Sequence, residues 1–92
     1  MSIGSDLELA NRVKGMIVRA VKLKIPPEKI ENNIPLFGGG LGLDSIDALE
    51  LVIALEKEFG VRIPDSTVGK KVLISVETIM AYIKDNKGGK SS

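Results

Sequence analysis

The stretch Leu41-Gly42-Leu43-Asp44-Ser45-Ile46-Asp47-Ala48-Leu49-Glu50-Leu51 decides how the rest of the chain is read. It passes from glycine-rich sequence into an unbroken run of helix formers. Asp44 and Ser45 stand at the changeover, where a side-chain oxygen can accept from the N–H groups that a first helical turn leaves unpaired. Taken locally, this is a helix start and nothing more, with Asp44 or Ser45 as the cap. The helix so opened runs to Phe59 and stops at Gly60, the residue type that tolerates the left-handed conformation just past a helix end. At about 100° per residue, Ala48, Leu51, Val52, Leu55 and Phe59 form one narrow stripe, which is expected to face the core. Ile46, Leu49 and Ile53 form a second stripe among Asp47, Glu50, Glu56 and Lys57. In a domain with a single core this second face meets solvent. It is either a set of scattered surface aliphatics, which is normal, or a docking face with apolar anchors inside a charged rim.

Working outward, the segment from Leu7 to about Lys24 repeats apolar residues at three and four (Leu9, Val13, Met16, Ile17, Ala20, Val21), which predicts a first amphipathic helix. Ser5 or Asp6 is expected to cap it and Pro26-Pro27 to stop it. Residues 25–43 hold prolines, asparagines and glycines, with apolar anchors at Ile25, Ile30, Ile34, Leu36, Phe37, Leu41 and Leu43. These anchors predict a long ordered loop, of the kind usually tied to function. Beyond Val61-Arg62-Ile63-Pro64, the segment Asp65–Lys71 predicts a short helix weakened by Gly69. Ser75 then caps a last helix to about Lys84, with Val76, Ile79, Met80 and Ile83 as its apolar stripe. The class is all-α, a four-helix bundle of three longer helices and one short one, with the long loop between helices 1 and 2. Residues 1–86 are expected to form the domain and residues 87–92 a disordered tail.

At 92 residues the chain is sized for one domain. Its 43% apolar and 27% charged residues are those of an ordinary globular protein. Thirteen basic against twelve acidic residues leave a net charge of +1, which gives no footprint for a nucleic-acid binder. The chain has no cysteine and no histidine, so disulfides, thiolate nucleophiles, Cys/His zinc sites and histidine-based triads are excluded. No apolar run approaches the ~20 residues of a membrane span. The first residues lack the basic and apolar regions of a secretory signal, so a cytoplasmic protein is expected.

Two apparent motifs fail on context. Gly38-Gly39-Gly40-Leu41-Gly42 invites a phosphate-loop reading, but it follows a loop instead of a strand, and Leu43 stands where a third glycine belongs. Gly89-Lys90-Ser91 mimics the end of a Walker A motif, yet Lys84 occupies the position of its first glycine. Asp47 and Glu50 lie one helical turn apart and read as a solvated face, not as a catalytic carboxylate pair.

The opening tract resembles the prosthetic-group attachment motif of the acyl carrier protein family, in which a Leu-Gly-x-Asp-Ser-Leu/Ile turn opens a long acidic helix. Asp47, Glu50-Leu51-Val52, Ala54-Leu55-Glu56, Glu58-Phe59 and Ile63-Pro64-Asp65 stand where that family places such residues. The resemblance runs roughly from Leu7 to Ile83. It implies a 4′-phosphopantetheine arm bound covalently to the Ser45 hydroxyl and a carrier that is not itself an enzyme. Asp44 would hold the turn and engage the modifying enzyme. The implied partners are a phosphopantetheinyl transferase, acyl synthases and acyltransferases, met through Ile46, Asp47, Leu49, Glu50, Ile53 and Glu56. The implied acyl lining is Leu51, Leu55, Ile63, Val68 and Ile79, in a core expected to part without a preformed cleft. A monomer is expected, with no nucleic acid and no membrane span.

Three departures from the family pattern bear on partner choice. Phe37-Gly38-Gly39-Gly40 replaces the acidic residues usual before the Leu-Gly, so the approach to the site should be more flexible and less negative. Lys57 interrupts the acidic run, and the charge balance is unlike a strongly acidic carrier. Gly69-Lys70-Lys71-Val72-Leu73-Ile74 is about two residues longer than usual. A carrier for fatty-acid or related lipid biosynthesis is the first reading; a carrier for polyketide or aminoacyl chains, and an unmodified helical interaction module with Ser45 as a mere cap, are the alternatives.

Overall fold

The computed structural model describes the backbone of residues 2–91 and the side-chain surroundings of residues 7–86. Four helices follow one another: α1 (Ser2–Val21), α2 (Ser45–Phe59), α3 (Ser66–Val72) and α4 (Val76–Ser91). A single 3-10 turn, Pro27–Lys29, interrupts the long loop between α1 and α2. No strand occurs among the described residues, only an isolated bridge between Phe37 and Leu43. This is the expected four-helix arrangement.

The apolar stripes converge as their periods require. Val13, Met16 and Ile17 of α1, Leu51 and Leu55 of α2, and Val76, Ile79 and Ile83 of α4 are buried in one aliphatic core. From the loop, Ile30, Leu36 and Leu43 join them. Ile25 does not; it is exposed. Across the α1–α2 seam, the Arg12 guanidinium lies 4.7 Å from the centre of the Phe59 ring. Glu58 takes Arg12 at 3.7 Å and Arg19 at 3.5 Å. These pairs are half exposed and add little stability beyond the apolar contact beneath them.

Both ends of α1 differ from the sequence reading. The helix opens at Ser2, ahead of Ser5 and Asp6, so neither residue is its cap. No proline interrupts residues 2–6, and without one the helix has no reason to wait for them. At the other end α1 stops at Val21, well before Pro26. Lys22 takes the left-handed conformation (φ 54°) and Leu23 N–H donates back to Val18 O at 3.1 Å, which is the Schellman pattern. A lysine serves where glycine is usual, and the prolines only confirm a stop already made.

The last helix also runs further than expected. Ser75 and Thr78 close a reciprocal cap, with Ser75 N–H donating to Thr78 Oγ1 at 2.9 Å and Thr78 N–H to Ser75 Oγ at 3.4 Å. Tyr82 OH donates to Arg62 O and so ties α4 to the link between α2 and α3. The α4 backbone then continues to Ser91, through the segment expected as a disordered tail. Gly88 and Gly89 lower helix propensity by about 1 kcal/mol each but remove no donor, so they do not force an end. The tail's side chains and Ser92 lie outside the described residues.

Candidate functional site

Gly60 ends α2 in the left-handed region (φ 69°), as its position predicts, and the other end of the helix builds the site. Asp44 is the cap: its Oδ1 accepts from Asp47 N–H at 3.1 Å, while Asp47 Oδ2 accepts from Asp44 N–H at 3.1 Å. This capping box leaves Ser45 as the first helical residue. Ser45 is exposed, and among the described residues its hydroxyl meets no hydrogen-bond partner. The local fold thus assigns the two roles left open by the sequence: Asp44 holds the turn and Ser45 is free.

The glycine run upstream is a tightly specified turn, contrary to the expectation of a more flexible approach. Leu41 N–H donates to Pro35 O at 2.9 Å, and a Cβ on Gly40 would fall 1.7 Å from that same oxygen. Gly38 and Gly42 both adopt φ 73°. Leu43 N–H then donates to Leu36 O at 3.1 Å, and Leu36 N–H to Ile74 O at 2.9 Å. The loop is thereby bonded to the junction of α3 and α4 just before it delivers Asp44 and Ser45. Glu77 N–H donates to Asn32 O at 2.9 Å and fixes the loop a second time.

Beside Ser45 opens a groove of about 760 Å³ between α2, α3 and the loop. Its walls are mostly apolar, from Phe37, Leu43, Ala48, Leu49, Val52, Ile63 and Leu73. The core itself is closed, and this groove opens beside it. Of the five residues expected to line an acyl chain, the structure brings only Ile63 to this groove. Leu51, Leu55 and Ile79 are fully buried in the closed core, and Val68 is half-buried but not on the groove wall. The reason lies in α2. Its apolar groove-lining residues are Ala48, Leu49 and Val52; Ala48 and Val52 are half-buried, one step around the wheel from Leu51 and Leu55, and Leu49 lines the groove from the exposed stripe. The other groove residues Phe37, Leu43 and Leu73 come from separate segments, which no local pattern links. The one available signal was Gly69, a glycine inside a seven-residue helix, which lies on the groove wall.

The second stripe of α2 is exposed as expected: Ile46 is 71%, Leu49 60% and Ile53 42% accessible. Glu50 and Glu56 are exposed beside them, while Asp47 is half-buried and its carboxylate is engaged in the cap. Among the described residues no helix is long and apolar enough to cross a membrane.

Comparison with known proteins agrees with this geometry. The family model described as "Phosphopantetheine attachment site" matches residues 11–83. The chain is 40% identical over 80 residues to an acyl carrier protein of Zymomonas mobilis, covering 87% of this chain and 96% of that one. It is 37% identical over 79 residues to an acyl carrier protein of Campylobacter hominis, covering 86% and 94%. A shorter match, 51% identical over 47 residues, links it to an acyl carrier protein of Helicobacter pylori, with 51% of this chain and 58% of that one covered. The chain belongs to the phosphopantetheine-attachment family that includes the acyl carrier proteins, as its sequence resemblance implied.

Proposed function

We propose that this chain is a monomeric acyl carrier protein of the cytoplasm, modified on Ser45, that delivers acyl intermediates to separate enzymes of fatty-acid or related lipid biosynthesis. The observation that supports it best is the exposed, unpartnered Ser45 hydroxyl at the first residue of α2, at the rim of an apolar groove. The residues present fit the family's group. A hydroxyl without an internal partner is available to a transferase, and the turn behind it is fixed by a cap that does not use Ser45. When bound, 4′-phosphopantetheine supplies the thiol that holds an acyl chain as a thioester, a function this cysteine-free chain has no side chain for.

The chain's own residues then do three things. Asp44 and Asp47 hold the first turn of α2 through their reciprocal hydrogen bonds, so Ser45 is presented in one orientation. Val52, Ile63 and Leu73 offer an apolar wall that removes water from a hydrocarbon chain, worth roughly 0.8 kcal/mol per methylene at the upper end. Ile46, Leu49 and Ile53, with Glu50 and Glu56 beside them, form the face on which a phosphopantetheinyl transferase, acyl synthases and acyltransferases dock in turn. Catalysis belongs to those partners.

Intact mass after incubation with a phosphopantetheinyl transferase and coenzyme A tests the assignment. A single adduct on the wild type, absent from Ser45→Ala at an unchanged melting temperature, is expected. Normal loading of Ser45→Ala would refute it. A carrier of polyketide or aminoacyl chains is the second reading, favoured by the balanced net charge of +1, which is unlike a strongly acidic carrier.

A further inference from the structure

Three charged side chains line the groove beside Ser45: Asp44, Asp65 and Lys70. The carboxylates are engaged at helix starts. Asp44 accepts from Asp47 N–H at 3.1 Å and Asp65 accepts from Val68 N–H at 3.0 Å. Lys70 is the groove's one cation, and it forms no ion pair among the described residues.

Its direction is set by α3. Ser66, Gly69 and Lys70 stand at i, i+3 and i+4, so they share one helix face, and all three line the groove. Lys71, the next residue, is turned away by about 100° and is not on the groove wall. Both lysines lie in the last turn of α3, where a cation complements the helix dipole. The dipole accounts for a cation there equally well on either face; it does not account for one on the face that lines the groove with the serine. The side chain can lie along the apolar wall and keep its ammonium free at the rim.

We propose that Lys70 pairs with the phosphodiester borne on Ser45 and so fixes the root of the arm against α3. The inference rests on the Ser45 reading given above. The chemistry is complementary: a phosphodiester holds one negative charge on two non-bridging oxygens and only accepts hydrogen bonds, and an ammonium is a point charge with three donors. A counter-charge is also needed there. The phosphate would arrive on the helix start between Asp44 and Asp47, whose carboxylates repel it, and Lys70 is the groove residue that offsets that field.

Wild type, Lys70→Gln, Lys70→Arg and Lys71→Gln are loaded with excess transferase, each adduct is confirmed by intact mass, and the 31P resonance of the folded holo chain is compared with that of the same chain unfolded in urea. Folding is expected to displace the wild-type resonance. More than half of that displacement should vanish in Lys70→Gln, while Lys70→Arg and Lys71→Gln keep it. Salt at about 1 M, where screening acts within ~3 Å, should likewise collapse it in the wild type. Should Lys70→Gln resist loading, this salt titration decides. A displacement that survives both Lys70→Gln and salt, or that Lys71→Gln abolishes equally, would overturn the pairing. If the wild type gains no adduct, the Ser45 reading itself fails, and the mass spectrum shows that outcome before any resonance is recorded.

Discussion

Leu49 and Leu55 offer a controlled comparison within one helix. The same substitution to alanine is made at both, the helix-propensity change is shared, and the two sites differ chiefly in burial: Leu49 is 60% accessible and Leu55 0%. At Leu55, three carbon atoms leave the core, at roughly 0.8 kcal/mol of transfer free energy each, and the cavity left behind adds to the loss. Leu55 lies among Leu51, Ile17 and other fully buried aliphatics, so the site collapses only in part. A total of about 3–4 kcal/mol is expected, out of a stability of roughly 5–15 kcal/mol for a domain of this kind. At roughly 5 °C per kcal/mol for a chain of this length, the midpoint should fall by about 15–20 °C. Leu49→Ala should stay within about 0.5 kcal/mol, or ~3 °C, of the wild type. Thermal melts followed by far-ultraviolet circular dichroism measure both. Loading rates with a transferase or a synthase should show the opposite order, with Leu49→Ala the slower. A Leu49→Ala melt as low as that of Leu55→Ala would refute the division of α2 into a core stripe and a docking stripe.

Two further outcomes concern the backbone. Gly40→Ala should cost about 2 kcal/mol or more, because its Cβ would fall 1.7 Å from Pro35 O and displace the Leu41 hydrogen bond, whereas Gly39→Ala, with nothing within 4 Å, should be near neutral in urea titrations. Lys22→Gly should raise stability by about 0.5–1 kcal/mol, since φ 54° is strained for a side chain, although glycine's freer unfolded state offsets part of the gain; a loss in the same titration would show that the lysine side chain earns its place.

What the sequence made legible was local. The cap at Asp44, the stop at Gly60 and the two stripes of α2 follow from patterns contained between Asp44 and Gly60, and the structure shows each of them. The ends of α1 were misread because prolines and capping residue types are permissive signals. Pro26 forbids a helix but does not say where one has already ended, and a Schellman stop on Lys22 leaves no residue-type trace. The groove was illegible for a different reason. Periodicity separates inside from outside, yet Ala48 and Val52 are neither; they border a space whose other walls are Ile63, Leu73 and the Leu43 loop, which only tertiary arrangement brings together. The glycine run was read as slack because composition cannot distinguish a glycine that is free from one, like Gly40, that is pressed against a carbonyl.

The backbone bonds that run from Leu43 to Leu36 and from Leu36 to Ile74 give the site a fixed bearing. Ser45 follows Leu43 by two residues, so its address is surveyed from the α3–α4 junction in two steps, without passing through α2 or the body of α3. The bond that Asp65 accepts from Val68 N–H stays within α3, so the cap of that groove wall takes no part in placing the serine. A chain built this way sets its attachment point from the loop, apart from the groove wall that α3 supplies.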